Sequence, residues 1–286
     1  MVTADAYDVC LRLARSHYEN FPVASWLLPA PMRPHIAAIY AFARTADDFA
    51  DEGLMSDDER LRKLDEWGAR LQQPAGHPVF VALHDTIERF QLDPQLCEDL
   101  LSAFRQDVVT KRYATWSDLM DYCRRSANPV GRLVLGVAGY RGERLARQSD
   151  AVCTALQLVN FWQDIEKDWA IGRVYVPEEL TRATGAVESD LEARRISPEW
   201  AGALKMAADR TRALFDEGRG VADGVSGRLS WELRATWVGG VRILNRIAAE
   251  HYDVFNSRPA LGVADLPALA WDMLSWQTTS GPQSGR

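Results

Sequence analysis

Little in this chain of 286 residues reads as β-structure. Runs that alternate polar and apolar residues are scarce, which excludes a sandwich, a barrel or a doubly wound sheet as the organising architecture. Cysteine is sparse as well. Cys10, Cys97, Cys123 and Cys153 show no paired spacing, which argues against a disulfide scaffold and points to buried free thiols in a reducing compartment. None of the five histidines sits in a Glu-x-x-His unit, so a di-iron carboxylate bundle lacks its usual ligands. No apolar run approaches the ~20 residues that span a bilayer, and nothing near the N-terminus resembles a signal peptide. Positive charge is outnumbered, with 33 Lys and Arg against 40 Asp and Glu and a net charge of −7, which argues against a nucleic-acid partner. No Pro-, Gly- or Ser-rich linker divides the chain. The expectation is one cytoplasmic domain over residues 1–276, followed by a polar tail at 277–286 that is expected to be disordered.

What the chain has is helical periodicity. A 3.6-residue apolar repeat predicts helices near 3–18, 32–52, 57–72, 78–91, 94–110, 116–126, 129–139, 144–169, 198–220, 229–253 and 266–276, an all-α fold. The expected breaks carry Pro29, Pro31 and Pro34 before the second helix, Asp93 and Pro94 before the fifth, and Gly172 after the eighth. Residues 172–198 read as a long irregular stretch with Gly185 and a short acidic segment inside it. Gly136, Gly139 and Gly142 follow no strand and do not have dinucleotide or P-loop spacing, so close helix packing is the better reading. No strand-turn-helix nucleophile elbow is visible. On the last helix, Trp271 and Trp276 lie with Leu266, Leu269 and Leu274. Docking on the protein's own core is preferred there over contact with a membrane surface.

Two aspartate pairs at the same spacing stand out: Asp47 with Asp51, and Asp164 with Asp168. Residues four apart on an α-helix lie on one face about one turn from each other, so each pair offers two carboxylates to a common point. The surroundings repeat. Tyr40, Arg44, Asp47 and Asp51 fall within an arc of roughly 80° on one helix, and Gln157, Asn160, Asp164 and Asp168 do so on the other. Ile39, Ala41, Phe42 and Ala43 flank the first stripe; Leu156, Leu158, Val159, Phe161 and Trp162 flank the second. A helix apolar nearly all round turns its single polar stripe toward an interior space. If the stripes face each other, four carboxylates converge, and their charge implies a cation. All-oxygen ligands favour Mg²⁺ or Mn²⁺ over zinc or copper. Arg44 lies on the carboxylate stripe, and Arg173 and Tyr175 follow the second pair. Carboxylates, a bridging cation and guanidinium groups together make a diphosphate site.

The segments Tyr-Ala-Phe-Ala-Arg-Thr-Ala-Asp-Asp-Phe-Ala-Asp (40–51) and Leu-Gln-Leu-Val-Asn-Phe-Trp-Gln-Asp-Ile-Glu-Lys-Asp-Trp (156–169) resemble the two aspartate-rich signatures of the squalene and phytoene synthase family. The resemblance extends through Leu28-Pro29, Tyr122-Cys123, Val130-Gly131 and Gly172-Arg173-Val174-Tyr175. It implies an isoprenoid synthase helical bundle with a central cavity, acting on prenyl diphosphates. By motif position, Asp47, Asp51, Asp164 and Asp168 would hold Mg²⁺, with Arg44 and Arg173 on the diphosphate. Tyr40, Gln157, Asn160 and Tyr175 would support that site, Tyr122 would line the pocket, and His17 holds the position of a pocket histidine. Two departures, at residues 19–25 and 126–131, resemble a bacterial subgroup of hopanoid biosynthesis. Its members take presqualene diphosphate and water to a tertiary alcohol without reduction, so no NADPH is expected. Phe21 is a candidate for the wall around the carbocation. Asn20 or Asn128 is a candidate to position the water, although Asn128 before Pro129 reads more readily as a helix cap. The implied partners are the prenyl diphosphate and other squalene-pathway enzymes that receive the product, with at most peripheral membrane contact. Two other readings stay open: a synthase that condenses two prenyl diphosphates, and a catalytically silent helical assembly factor.

Overall fold

The computed structural model describes residues 3–16, 27–51, 53–73, 76–255 and 258–277, and among them every regular element is helical. The α-helices are α1 Thr3–Ser16, α2 Arg33–Asp51, α3 Asp57–Ala69, α4 Pro78–Phe90, α5 Gln95–Val109, α6 Trp116–Ser126, α7 Asn128–Val137, α8 Glu143–Gln163, α9 Ile165–Ala170, α10 Glu178–Thr184, α11 Glu188–Glu192, α12 Pro198–Gly218, α13 Gly227–Ala249 and α14 Leu266–Leu274. Short 3₁₀ turns occupy Ala30–Met32, Arg219–Ala222 and Val263–Asp265. Among the described residues no helix is long and apolar enough to cross a membrane. His17, Asn20 and Phe21, and the tail from residue 278 onward, lie outside the described residues.

Two expectations need correction. The helix expected over 144–169 is divided at Asp164, with α8 ending at Gln163 and α9 starting at Ile165. The stretch expected to be irregular over 172–198 contains α10 and α11. Pro177 precedes α10, and Gly185 closes it in the left-handed conformation at φ 82°. The acidic segment within that stretch is α11 itself, whose Glu188 and Asp190 sit in the first turn where the helix dipole favours negative charge.

The chain divides into two compact units, residues 1–111 with 120–146, and residues 112–119 with 147–286. In the first unit α2 is the central element, packed by α1, α3, α4, α5 and α7. Its sequence explains this placement. Ala37, Ala38, Ala41, Ala46 and Ala50 let neighbouring helices come close, and Ile39 and Phe42 fill the space between them. Phe42 stacks with Trp67 and meets Phe80 edge-on, and the Trp67 indole donates to the Phe42 carbonyl. At the other side, the Tyr7 hydroxyl donates to Asp85 at 2.7 Å and lies 2.9 Å from His35 Nδ1, joining α1, α2 and α4. Ser56 caps α3 by accepting from the Glu59 amide. Of Gly136, Gly139 and Gly142, only Gly136 is a packing position: a Cβ there would strike the Leu92 side chain. Gly139 and Gly142 instead supply positive φ in the turn after α7.

In the second unit α12 packs against α10 and α13, and α14 packs on α13. Trp162, Trp200 and Phe215 are buried, and the Trp162 indole donates to Thr211 at 2.9 Å. Two glycines set the helix spacing. A Cβ on Gly218 would stand 2.7 Å from the Gln148 carbonyl oxygen, and one on Gly240 would stand 2.5 Å from Phe215. The expectation for α14 holds in part. Trp276 packs against Trp237 and donates to Asp223, whereas Trp271 is 71% exposed. Cys10, Cys97 and Cys123 are buried free thiols, and Cys153 is half-buried. Burial pushes the Cys10 thiol up to about 11 and Cys97 up to about 12.

Glu232 on α13 is an isolated buried carboxyl. It is 5% exposed, its Oε2 has no hydrogen-bond partner among the described residues, and burial raises its pKa from 4.5 to about 7. Between those two values the native state holds a proton that the unfolded chain has released, so folding stability falls as pH rises through this window. The full cost above pH 7 is on the order of 3 kcal/mol. Glu232→Gln should therefore gain stability relative to the natural chain as pH goes from 4.5 to 7.5. Denaturant unfolding at several pH values measures this, and parallel stability curves for the two proteins would refute it.

Candidate active site

The first acidic segment is the second half of α2, within the first unit. Tyr40, Arg44 and Asp47 are half-buried and Asp51 is exposed, on a helix whose other flanks are sealed by Ala37, Ala38, Ile39, Ala41 and Phe42. The stripe expected from spacing is therefore the open flank of a core helix. Arg44 organises it. One guanidinium nitrogen donates to Asp47 Oδ2 at 3.1 Å, and the other pairs with Asp48 Oδ1 at 2.7 Å. Burial raises the Tyr40 phenol, and the nearby Arg44 charge acts in the opposite direction. Asp48 was not anticipated, although it stands four residues after Arg44 at the spacing of a helical ion pair.

The second acidic segment lies in the second unit at the junction of α8 and α9. Asp164 has φ −105° and ψ 18°, off helical values, yet the ladder runs through it. Its amide donates to the Asn160 carbonyl at 2.9 Å, and the Asp168 amide donates to the Asp164 carbonyl at 2.8 Å. The one-turn separation of the two carboxylates thus survives the break. Arg258 grips Asp164 with two parallel bonds, Nε to Oδ1 at 2.6 Å and Nη2 to Oδ2 at 2.9 Å. Lys167 adds an ion pair at 3.1 Å. Burial alone would raise the Asp164 carboxyl; the bonds from Arg258 and Lys167 outweigh it and hold the pKa below the usual carboxylate range. Gln163, the preceding residue, donates to the Pro259 carbonyl, so two adjacent side chains hold one short segment.

After α9 the chain turns back on itself. Gly172 at φ 78° allows the Arg173 amide to return to the Asp168 carbonyl at 2.7 Å, which ties the backbone of Arg173 to the end of α9. Arg173 is buried at 5% exposure. Tyr175 is buried too, with its ring parallel to Phe161 at 3.6 Å between centroids and stacked with Tyr113 at 5.8 Å. Arg112 braces this turn, donating to the Gly172 carbonyl at 2.6 Å, pairing with Glu188 and lying over the Trp169 ring. Gln157 is half-buried and Asn160 exposed along α8.

The remaining candidates are placed less centrally. Tyr122 is buried in α6 with its hydroxyl donating to Asp107 Oδ2 at 2.8 Å, and Asp107 is itself buried. Asn128 is the first residue of α7, and the cap position falls on Ala127 without a side-chain cap bond. Among the described residues no three Asp, Glu, His or Cys side chains gather as a metal cluster. Each acidic pair by itself offers two carboxylates, with the Asp47 side chain 38% and the Asp164 side chain 23% exposed. That donor set fits Mg²⁺, which keeps several waters and is typically held by one or two carboxylates plus substrate phosphate oxygens.

The sequence pattern of squalene/phytoene synthases matches residues 14–264. The chain belongs to the squalene/phytoene synthase family. It is similar to the hydroxysqualene synthase of Zymomonas mobilis, with 42% identity over 206 residues, 71% of this chain and 69% of that protein. The hydroxysqualene synthase of Rhodopseudomonas palustris is 40% identical over 74% of this chain and 73% of its own length. The phytoene synthase of Arthrospira platensis is 29% identical over 89% of this chain and 88% of its own. Among solved structures, squalene synthase HpnC from Alicyclobacillus acidocaldarius is similar with a TM-score of 0.82 and 42% identity, covering 87% of this chain and 95% of that one. The all-α isoprenoid synthase fold expected from sequence is therefore the fold of this enzyme.

Tyr122→Phe removes one bond to a buried carboxylate and should destabilise the protein by about 1.5–3 kcal/mol. Urea unfolding of the variant measures this, and an unchanged midpoint would show that Asp107 finds equivalent partners without the phenol.

Proposed function

We propose that this enzyme converts presqualene diphosphate and water into hydroxysqualene and diphosphate, with Mg²⁺ as its ion and without NADPH, in squalene and hopanoid biosynthesis. The observation that carries this reading is the higher identity to proteins named hydroxysqualene synthase, 42% and 40%, than to the phytoene synthase, 29%. The two helical stripes supply chemistry that suits it, because each sets carboxylates beside cationic side chains. In this reading Asp47, Asp51, Asp164 and Asp168 hold Mg²⁺, which when bound neutralises the departing diphosphate.

The chain's own groups do the rest. Arg44, already oriented by Asp47 and Asp48, is poised to donate to phosphate oxygens as charge builds on the leaving group. Arg173 is the second diphosphate contact, its backbone anchored to the Asp168 carbonyl. Tyr40, Gln157, Asn160 and Tyr175 support these groups. A cyclopropylcarbinyl cation survives only where stray water is excluded, and the close stack of Phe161, Tyr175 and Tyr113 is dry, rigid surface of that kind. Tyr122, His17 and Phe21 are assigned to the pocket, and Asn128 to the water that captures the cation. The substrate carries a long hydrocarbon tail and the product is strongly apolar, so contact with a membrane surface is peripheral in this reading, and the product passes to a later enzyme of the same route.

A second reading, condensation of two prenyl diphosphates, is supported by the 42%-identical solved relative, which is named a squalene synthase. Product analysis by mass spectrometry separates the two. With Mg²⁺, hydroxysqualene should form from presqualene diphosphate and no product from farnesyl diphosphate alone; turnover of farnesyl diphosphate alone would replace this proposal with the second reading. Asp47→Ala or Asp164→Ala should lower diphosphate release by about a hundredfold or more. Near-normal turnover in either variant would remove the metal assignment.

A further inference from the structure

A groove between α13 and α14, in the second unit, takes no part in the chemistry assigned to the aspartates. It encloses about 570 Å³ and is lined by Arg219, Trp237, Val241, Arg242, Asn245 and Trp276, among others. None of these residues belongs to the acidic segments. The carboxylates here are already matched: Asp272 pairs with Arg242 at 2.6 Å, Asp265 pairs with Arg246 at 2.6 Å, and Asp223 accepts from the Trp276 indole at 2.9 Å and stands 3.6 Å from Arg234.

Arg219 is the exception. No ion pair or hydrogen bond among the described residues engages its guanidinium, which lies 4.3 Å from the Trp276 ring centroid and 5.6 Å from that of Trp237. Both indoles are fixed by their own bonds, since Trp237 donates to the Phe215 carbonyl at 2.7 Å and the two rings meet edge-on at 5.2 Å. A guanidinium laid on immobilised aromatic faces keeps its in-plane N–H groups for a ligand, and planar donors of this kind match phosphate oxygens. Val238, Val241 and the indole faces give the same groove an apolar wall.

We propose that this groove binds an amphipathic phosphate, with the head on Arg219 and the apolar tail along Trp237, Val241 and Trp276. The ligand chemistry is a phosphate ester with a hydrocarbon chain, either a soluble monoester or the headgroup of a membrane lipid. Binding of n-octyl phosphate to the full chain, followed by calorimetry in EDTA so that no divalent ion assists at the aspartates, tests the site. Octyl phosphate should bind at least tenfold more tightly than inorganic phosphate or octanol. Arg219→Gln and Val241→Glu should each weaken it tenfold or more, with melting curves showing both variants folded. Arg62→Gln, which removes one exposed positive charge on α3, should bind as the natural chain does. Co-sedimentation with phosphatidylcholine vesicles, with and without phosphatidylglycerol, then distinguishes the sources. Arg219-dependent sedimentation with the anionic vesicles identifies a lipid, and binding confined to octyl phosphate identifies a soluble ester. Affinities within twofold across the natural chain, Arg219→Gln and Val241→Glu, or octyl phosphate binding no tighter than phosphate, would overturn the proposal.

Discussion

Carboxylates one helical turn apart repel each other, and on a partly buried helix they persist only beside positive charge. Both acidic segments of this enzyme obey that constraint, by different means. On α2 the counter-charge is local, with Arg44 reaching Asp47 and Asp48 from the preceding turn. At the α8–α9 junction it is mostly distant in sequence, with Arg258 gripping Asp164 from 94 residues away and Lys167 assisting from the next turn. The rest of each unit serves to hold these clusters still. Small residues draw helices around α2, and Gly218 and Gly240 let α12 and α13 come close to neighbouring chain.

The two segments also differ in rigidity. Arg44, Asp47 and Asp48 sit on one uninterrupted helix, so their mutual geometry is a property of the α-helix itself. Asp164 stands at a backbone discontinuity, and its orientation depends on the tertiary bonds from Arg258 and the Gln163–Pro259 contact, with Lys167 adding a local pair. A change at residue 258 or 259 would therefore reach the second carboxylate cluster directly. On α2, by contrast, Asp47 is met by Arg44 of its own helix, one turn away.

Much of this was legible in the sequence because it is written in local pattern. The apolar period located the long helices, and the spacing of Tyr40, Arg44, Asp47 and Asp51 located the open flank of α2. The proline at 94 and the glycine at 172 mark real helix ends. The failures are of two physical kinds. Short helices such as α10 and α11, of seven and five residues, carry too few turns for a period to show, and they exist because Leu180 and Leu191 are buried by neighbours. The break at Asp164 and the grip of Arg258 are tertiary, and nothing near residue 258 signals its partner. Gly136, Gly139 and Gly142, at and just past the end of α7, were assigned to packing because spacing does not distinguish a close approach from a positive φ, and only Gly136 proved to be the former.

The distribution of thiols has a practical corollary. Three of the four cysteines are buried with raised pKa values and so carry almost no thiolate at neutral pH, while Cys153 on α8 is partly open to solvent. An alkylating dye would discriminate among them by kinetics alone, without mutagenesis. At 1.5 Å of rise per residue the labelled sulfur would ride about 16 Å up the helix from Asp164. The natural chain thus carries its own reporter position on the helix that leads into the second acidic cluster.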